Sequence, residues 1–263
     1  MPVLILVLLL VSSAAFADDA WTSPFAGVRR LHRVTSDLHV HALEIHLDQP
    51  GVSLRSTATG ERKQATSAFA KAAGAQLAIN ADFFSYADYA TDGLSAGNGV
   101  AWDDTSDRSD RTAFAFGADN RVELAPMAST VRFEPTWMKG VVSGGPDLVR
   151  DGQVTAWLSS FRCFVRHPRT ALGLSRDQKT LYLVVVDGRS AASVGMTCAE
   201  LAALLKGLGT WTAFNLDGGG SSTMYVEGLG VVNQPSDGHE RVVGNHLAVF
   251  APKKPEDAGA AAP

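Results

Sequence analysis

Little in this chain of 263 residues points to a nucleic-acid or membrane protein. Its formal net charge is −4 and no long basic run occurs, which excludes an electrostatic nucleic-acid binder. It has no apolar stretch long enough to cross a bilayer comfortably, so stable membrane insertion is not expected. Cysteine is scarce, at two residues, and neither sits in a Cys/His context that would make it a nucleophile. No Gly-x-Ser-x-Gly elbow is present, so a serine-hydrolase nucleophile is excluded as well. There is no internal repeat and no shift in composition that would mark a domain boundary.

What is present begins with an apolar run at residues 3–11, followed by Ala15-Phe16-Ala17. A short apolar segment ending in a small-x-small site reads as a signal peptide over 1–17, although no Lys or Arg precedes it. The expected product is secreted or periplasmic. In that setting the even pair Cys163 and Cys198 is expected to form a disulfide. Residues 18–37 read as an N-terminal extension, 38–251 as one globular domain, and 252–263, rich in Pro and Ala, as a disordered tail.

Within the domain, strand signals outnumber helix signals. Residues 38–47 and 52–56 flank a Pro-Gly turn, and 181–186 is a fully apolar strand. The best helix spans 197–208. Thr197 and Glu200 form a capping box, Leu201, Leu204, Leu205 and Leu208 form the apolar face, and Gly209 stops it. The pattern predicts an α+β fold: mixed β-sheets with a few packing helices in a single globular domain.

Several apolar strands end in polar or small residues: Asn80 and Asp82; Ser143, Gly144 and Gly145; Asp187; and Asp217 with Gly218, Gly219, Gly220, Ser221 and Ser222. Polar groups at the ends of buried strands are how sites are mounted on rigid scaffolds. Each alone is an ordinary turn. Together with Arg169 they indicate a site. His39, His41 and His46 lack a third ligand at zinc-like spacing and share no single strand face.

The ordered blocks Asn80-Ala81-Asp82-Phe83-Phe84, Ser143-Gly144-Gly145-Pro146, Arg169-Thr170-Ala171-Leu172-Gly173, Val186-Asp187-Gly188-Arg189 and Asn215-Leu216-Asp217-Gly218-Gly219-Gly220-Ser221-Ser222, with Arg241 and Asn245 beyond them, closely resemble the phosphodiester glycosidase domain family. That family includes the enzyme that uncovers mannose 6-phosphate by removing N-acetylglucosamine from its phosphodiester. The resemblance implies a glycosidase acting on a sugar-phosphate or glycan substrate. Asp217, Asp187 and Arg169 would then be catalytic. Asn80, Asp82, Ser143, Gly144, Gly145, the 218–222 turn, Arg241 and Asn245 would bind substrate, with the carboxylate facing the anomeric carbon and the turn facing the phosphate. No cofactor is certain. A calcium-like divalent ion held by Asp217 and other oxygens stays open. The competing readings are a metal-dependent phosphodiesterase and a non-catalytic carbohydrate or cell-wall binding domain, for which Trp102, Trp137, Trp157 and Phe161 are the aromatic candidates.

Overall fold

The computed structural model describes residues 18–105, 111–127, 129, 131–155 and 161–254. The leader 1–17, most of the expected tail, Trp157 and the Phe161 side chain lie outside that set. Three sheets make up the fold. The largest has eight strands in the order Asp18–Phe25, Val28–Val34, His39–His46, Thr180–Val186, Arg169–Leu174, Thr212–Asn215, Asp147–Arg150 and Gln153–Val154. A five-stranded sheet runs Val100–Ala101, Ala96–Gly97, Met138–Gly144, Thr112–Gly117 and Val122–Ala125. Another runs Gly230–Val231, Met224–Val226, Leu77–Asn80, His246–Phe250 and Ser53–Ser56.

The apolar run at 181–186 is explained by burial on both faces of the largest sheet. Alternation sends Leu181, Leu183 and Val185 into the main core, shared with Leu77, Ile79, Phe114, Phe116 and Leu247 of the other sheets. It sends Val184 and Val186 to the opposite face, against Leu201 and Leu205 of the helix Cys198–Leu208. That helix starts as its sequence dictates. The Glu200 amide donates to Thr197 Oγ1 at 3.2 Å and the Thr197 amide donates to Glu200 Oε2 at 2.9 Å.

The α+β class holds, and every described strand pair is antiparallel. The strand–helix–strand unit still has parallel strands. Thr180–Val186 and Thr212–Asn215 each pair antiparallel with Arg169–Leu174, which lies between them. Residues 18–34, set apart in the sequence as an extension, form a hairpin whose second strand pairs with His39–His46, so they belong to this sheet. Trp102 is not a binding aromatic. It is buried, its Nε1 donates to the Thr57 carbonyl at 3.1 Å, and the Arg62 guanidinium covers its ring.

Two of the sheets are joined at one side chain. Asn80, wholly buried, accepts from Thr170 Oγ1 at 2.9 Å and from the Thr223 amide at 3.0 Å, and its Nδ2 donates to the Asp217 carbonyl at 2.6 Å. Removing this amide strands two donors and an acceptor, at roughly 1–3 kcal/mol for each unsatisfied buried group. Asn80→Ala is expected to lose about 3 kcal/mol or more of unfolding free energy in urea titrations. A loss below about 0.5 kcal/mol, the range of neutral surface changes, would show that these bonds carry no weight.

Candidate functional site

The strand ends meet around a cleft of about 1360 Å³. Its lining includes Asp217, the three glycines after it, Gly145, Arg169 and Arg241 from the expected set, with Pro146 beside Gly145. It also includes Phe83, Phe84, Tyr86, Asp92, Arg111, Arg162, His167 and Arg189, which were not nominated as site residues.

Asp217 lies one residue beyond the strand Thr212–Asn215, after the buried Leu216. Its amide donates to the Ala81 carbonyl at 2.9 Å, and its carbonyl is held by Asn80. The residue is half-buried, with part of its surface on the cleft. Burial pushes its carboxyl up to about 6, while the Ser221 hydroxyl, the nearby Arg241 charge, the Gly218 amide and Arg162 pull it back.

The glycines have steric reasons. A side chain at Gly218 would press on the Pro168 carbonyl, Gly219 has φ +62°, and a side chain at Gly220 would collide with the Arg241–Asp237 ion pair. The turn's amides are mostly consumed within the protein. Gly218 serves Asp217, Gly219 donates to the Pro168 carbonyl at 2.9 Å, and Ser221 and Ser222 donate back to Gly218 and Gly219. An anion in the cleft therefore depends chiefly on side chains.

Those side chains are arginines. Arg169 is buried and fixed by three carbonyls: its Nε donates to Met196 at 2.8 Å, and its Nη2 donates to Arg162 at 2.7 Å and to Val165 at 2.9 Å. Burial and then the charge of Arg189 lower it to about 10, still a cation at neutral pH. Arg241 is anchored on Asp237 and donates to Ser221 Oγ at 3.2 Å. Arg111 is paired with Asp92. Arg162 sits on the short helix Phe161–Phe164, beside Cys163. The expected disulfide Cys163–Cys198 is present, with Cα atoms 4.9 Å apart, and ties that helix to the start of Cys198–Leu208. An aromatic rim faces these charges. Phe84 stacks on Tyr89 at 5.3 Å, and Tyr86, largely exposed, lies 5.7 Å from the Arg241 guanidinium.

The remaining nominated residues stand behind the cleft. Asp82 accepts on Oδ1 from Ser95 Oγ at 2.7 Å and the Ser143 amide at 2.8 Å, and on Oδ2 from Asn245 Nδ2 at 2.8 Å. Burial raises it to about 7 against those bonds. Ser95 in turn shares a 2.7 Å hydrogen bond with Thr91 on the cleft wall. Asp187 does not line the cleft. Its Oδ2 meets His41 Nε2 at 3.2 Å, and its Oδ1 accepts from Asn233 Nδ2 at 3.2 Å and the Gln234 amide at 2.8 Å. The sequence expectation puts Asp187 at the reacting centre; in the structure these bonds hold its carboxylate behind the cleft, against residues 233–234. Asn80, Ser143, Gly144, Ser221, Ser222 and Asn245 likewise form the frame rather than the lining. Gly144 is small because the Asn215 carbonyl crosses where a side chain would start.

The additional lining residues carried partial signals in the sequence. Phe83 and Phe84 close the first block and Arg189 closes the fourth. Asp92, Arg111 and Tyr86 come from polar loop stretches without periodicity. Among the described residues no three His, Cys, Asp or Glu side chains gather in a way that would hold a metal ion, and no helix is long and apolar enough to cross a membrane.

A family model described as phosphodiester glycosidase matches residues 73–250. The Bacillus subtilis (strain 168) SPbeta prophage-derived uncharacterized protein YomE is 42% identical over 108 residues, covering 41% of this chain and 16% of that protein. A hypothetical protein from Synechocystis superposes with a TM-score of 0.69 at 17% identity, over 91% of this chain and 64% of that one. The zebrafish N-acetylglucosamine-1-phosphodiester alpha-N-acetylglucosaminidase catalytic domain, auto-inhibited by its pro-peptide, superposes with a TM-score of 0.68 at 21% identity, over 90% of this chain and 82% of that one. At these identities the two structures establish likeness of fold.

Two outcomes are expected from this geometry. Asp217 loses its charge as pH falls through about 6, so a step that needs the carboxylate has an acid limb of kcat/KM near 6 rather than near 4. Because the raised carboxyl favours the folded state only while protonated, Asp217→Asn is expected to melt higher than the parent at pH 8, with activity lost. A limb near 4, or near-normal turnover by Asp217→Asn, contradicts the assignment. Replacing both Cys163 and Cys198 by Ser opens a loop with a sequence separation of 35. It is expected to lower unfolding free energy by about 4 kcal/mol in denaturant titrations. A loss below about 1 kcal/mol would mean that the bridge adds no constraint.

Proposed function

The chain belongs to the phosphodiester glycosidase family, and from that premise we propose that it hydrolyses a sugar 1-phosphodiester at the bond between the sugar and oxygen. One observation carries the reading: a half-buried carboxylate, Asp217, lies on the floor of a cleft walled by arginines.

The bond from anomeric carbon to oxygen breaks, and its electron pair leaves on the phosphate. Water supplies oxygen to the carbon and releases a proton, giving a free sugar and a phosphomonoester. Positive charge develops on the sugar, where the Asp217 carboxylate opposes it. Negative charge develops on the departing phosphate, where Arg169 and its neighbours oppose it. Arg169 is held by three carbonyls, so its guanidinium needs no reorganisation as that charge grows. Phosphate is a good leaving group and needs little protonation, so a second carboxylate serves best as a base for water. Asp92, the other carboxylate lining the cleft, takes that place in the proposal, and Asp187 becomes a positioning residue. Phe83, Phe84 and Tyr86 offer apolar faces for the sugar ring.

The proposed substrate is N-acetylglucosamine-1-phosphodiester-like, the chemistry in the zebrafish relative's name, within a phosphate-linked glycan or cell-envelope polymer. Export is proposed from the apolar segment at 3–11 and supported by the disulfide.

Hydrolysis of an N-acetylglucosamine-1-phosphodiester in oxygen-18 water tests the reaction. Label is expected in the sugar. Label in the phosphate would replace this reading with a phosphodiesterase, and tight binding without turnover would replace it with a binding domain.

A further inference from the structure

The cleft's charges do not match a diester. Arg241 is neutralised by Asp237, and Arg111 has Asp92 as an ion-pair partner. Arg162, Arg169 and Arg189 also reach the cleft, and among the described residues none of the three has a carboxylate within salt-bridge distance. Arg169 Nη2 donates to the Arg162 carbonyl at 2.7 Å, and all three arginines line the same cleft as His167. Arg189 lowers the pKa of Arg169, and after burial Arg169, Arg189 and Arg162 all disfavour a proton on His167. His167 also lines the cleft, with Nδ1 buried and without a hydrogen-bond partner.

Arg169 is the fixed, buried member of the set, while Arg162 and Arg189 present exposed side chains from constrained backbone. Arg169 is locked by three carbonyls. Arg189 has a left-handed backbone, φ +61°, which is uncommon for a long side chain, and its guanidinium lies over Gly219 beside Asp217, with Nη1 donating to Ser236 Oγ at 3.4 Å. Arg162 is tied down through Cys163 and acts electrostatically on Asp217. Holding like charges together is unfavourable unless an anion joins them.

With Asp217 ionised, three positive charges face one negative. A bound phosphodiester, with one charge, leaves a positive charge over. A phosphomonoester carries close to two charges above its second pKa of about 6 and balances the cluster.

We propose that Arg162, Arg169 and Arg189, which line one cleft with His167, form a phosphomonoester site, so that the cleft holds the dianionic product of the proposed reaction more tightly than its monoanionic substrate. This rests on the hydrolysis proposed above for the identity of the product, but not for the existence of the site. In consequence, phosphomonoesters of any alcohol compete with substrate, and product departure limits turnover unless another enzyme removes the phosphate.

Ethyl phosphate and diethyl phosphate, neither of which carries a sugar to be cleaved, are suitable probes in isothermal titration calorimetry at pH 7.5 and low salt. Ethyl phosphate is expected to bind about ten-fold more tightly or better, the effect of one additional charge contact. The preference should fall about three-fold in Arg189→Gln or Arg162→Gln and vanish in the double variant. It should persist in Arg166→Gln, whose guanidinium is paired with Glu200 outside the cleft. Equal affinity for the two probes, or a preference that survives the double variant in protein that melts like the parent, overturns the proposal. Hydrolysis of a sugar phosphodiester without the preference overturns this site alone. The preference without hydrolysis overturns the proposed reaction alone.

Discussion

The structure depends on a single buried amide. Asn80 ends a strand of one sheet and bonds to Thr170 of the largest sheet, to the Thr223 amide after the glycine turn, and to the carbonyl of Asp217. A buried Asn is tolerated only when its donors and acceptor are satisfied, and here satisfaction demands that these segments converge. The convergence sets the position of the backbone that carries the cleft carboxylate. The rest of the site is arranged around that fixed point.

Around it the polar residues divide into two groups. Asp82, Ser143, Asn245, Asp187 and Asn233 spend their hydrogen-bonding capacity on one another and on backbone, behind the cleft wall. Asp217, Asp92 and five arginines line the cleft. Both groups draw on strand ends and adjoining loops, but the frame is rich in Asp and Asn and the lining in Arg. They differ in exposure to the cleft: the first group is enclosed by its protein partners, and the second keeps part of its surface on the open space. Burying carboxylates such as Asp82 and Asp187 is favourable only with such partners, which is why a polar residue at a strand end is so often part of the frame.

Electrostatics then gives the cleft its character. Burial raises Asp217 to about 6, and neighbouring Arg241 and Arg162 oppose that rise. The arginines are themselves constrained, by carbonyls, by an ion pair and by a disulfide-tethered helix. A wall of fixed positive charge next to a tunable carboxylate suits chemistry in which the sugar becomes positive as the phosphate becomes negative. In the proposed reaction the same wall also retains the departing phosphate.

Local rules written in the residues themselves determined much of this protein. Thr197, Glu200 and Gly209 specified where one helix begins and ends, and the apolar run at 181–186 specified a strand buried on both faces. The ordered motifs identified the family and placed Asp217 and Arg169 in the cleft. The tertiary structure alone decided which of the other motif residues touch the cleft. Asp187 and Asp217 look alike in sequence, each an acid after an apolar strand and before glycine. One is surrounded by His41, Asn233 and Gln234, and the other faces open space. Tertiary structure also brought Arg111 and Asp92 from aperiodic loops into one cleft with Arg162, His167, Arg169 and Arg189. Their grouping is set by long-range packing between chain segments, and no local spacing encodes which side chain meets which. Helix capping and the apolar pattern of a strand are decided by neighbours in the chain, whereas strand partners and a charge cluster are decided by neighbours in space.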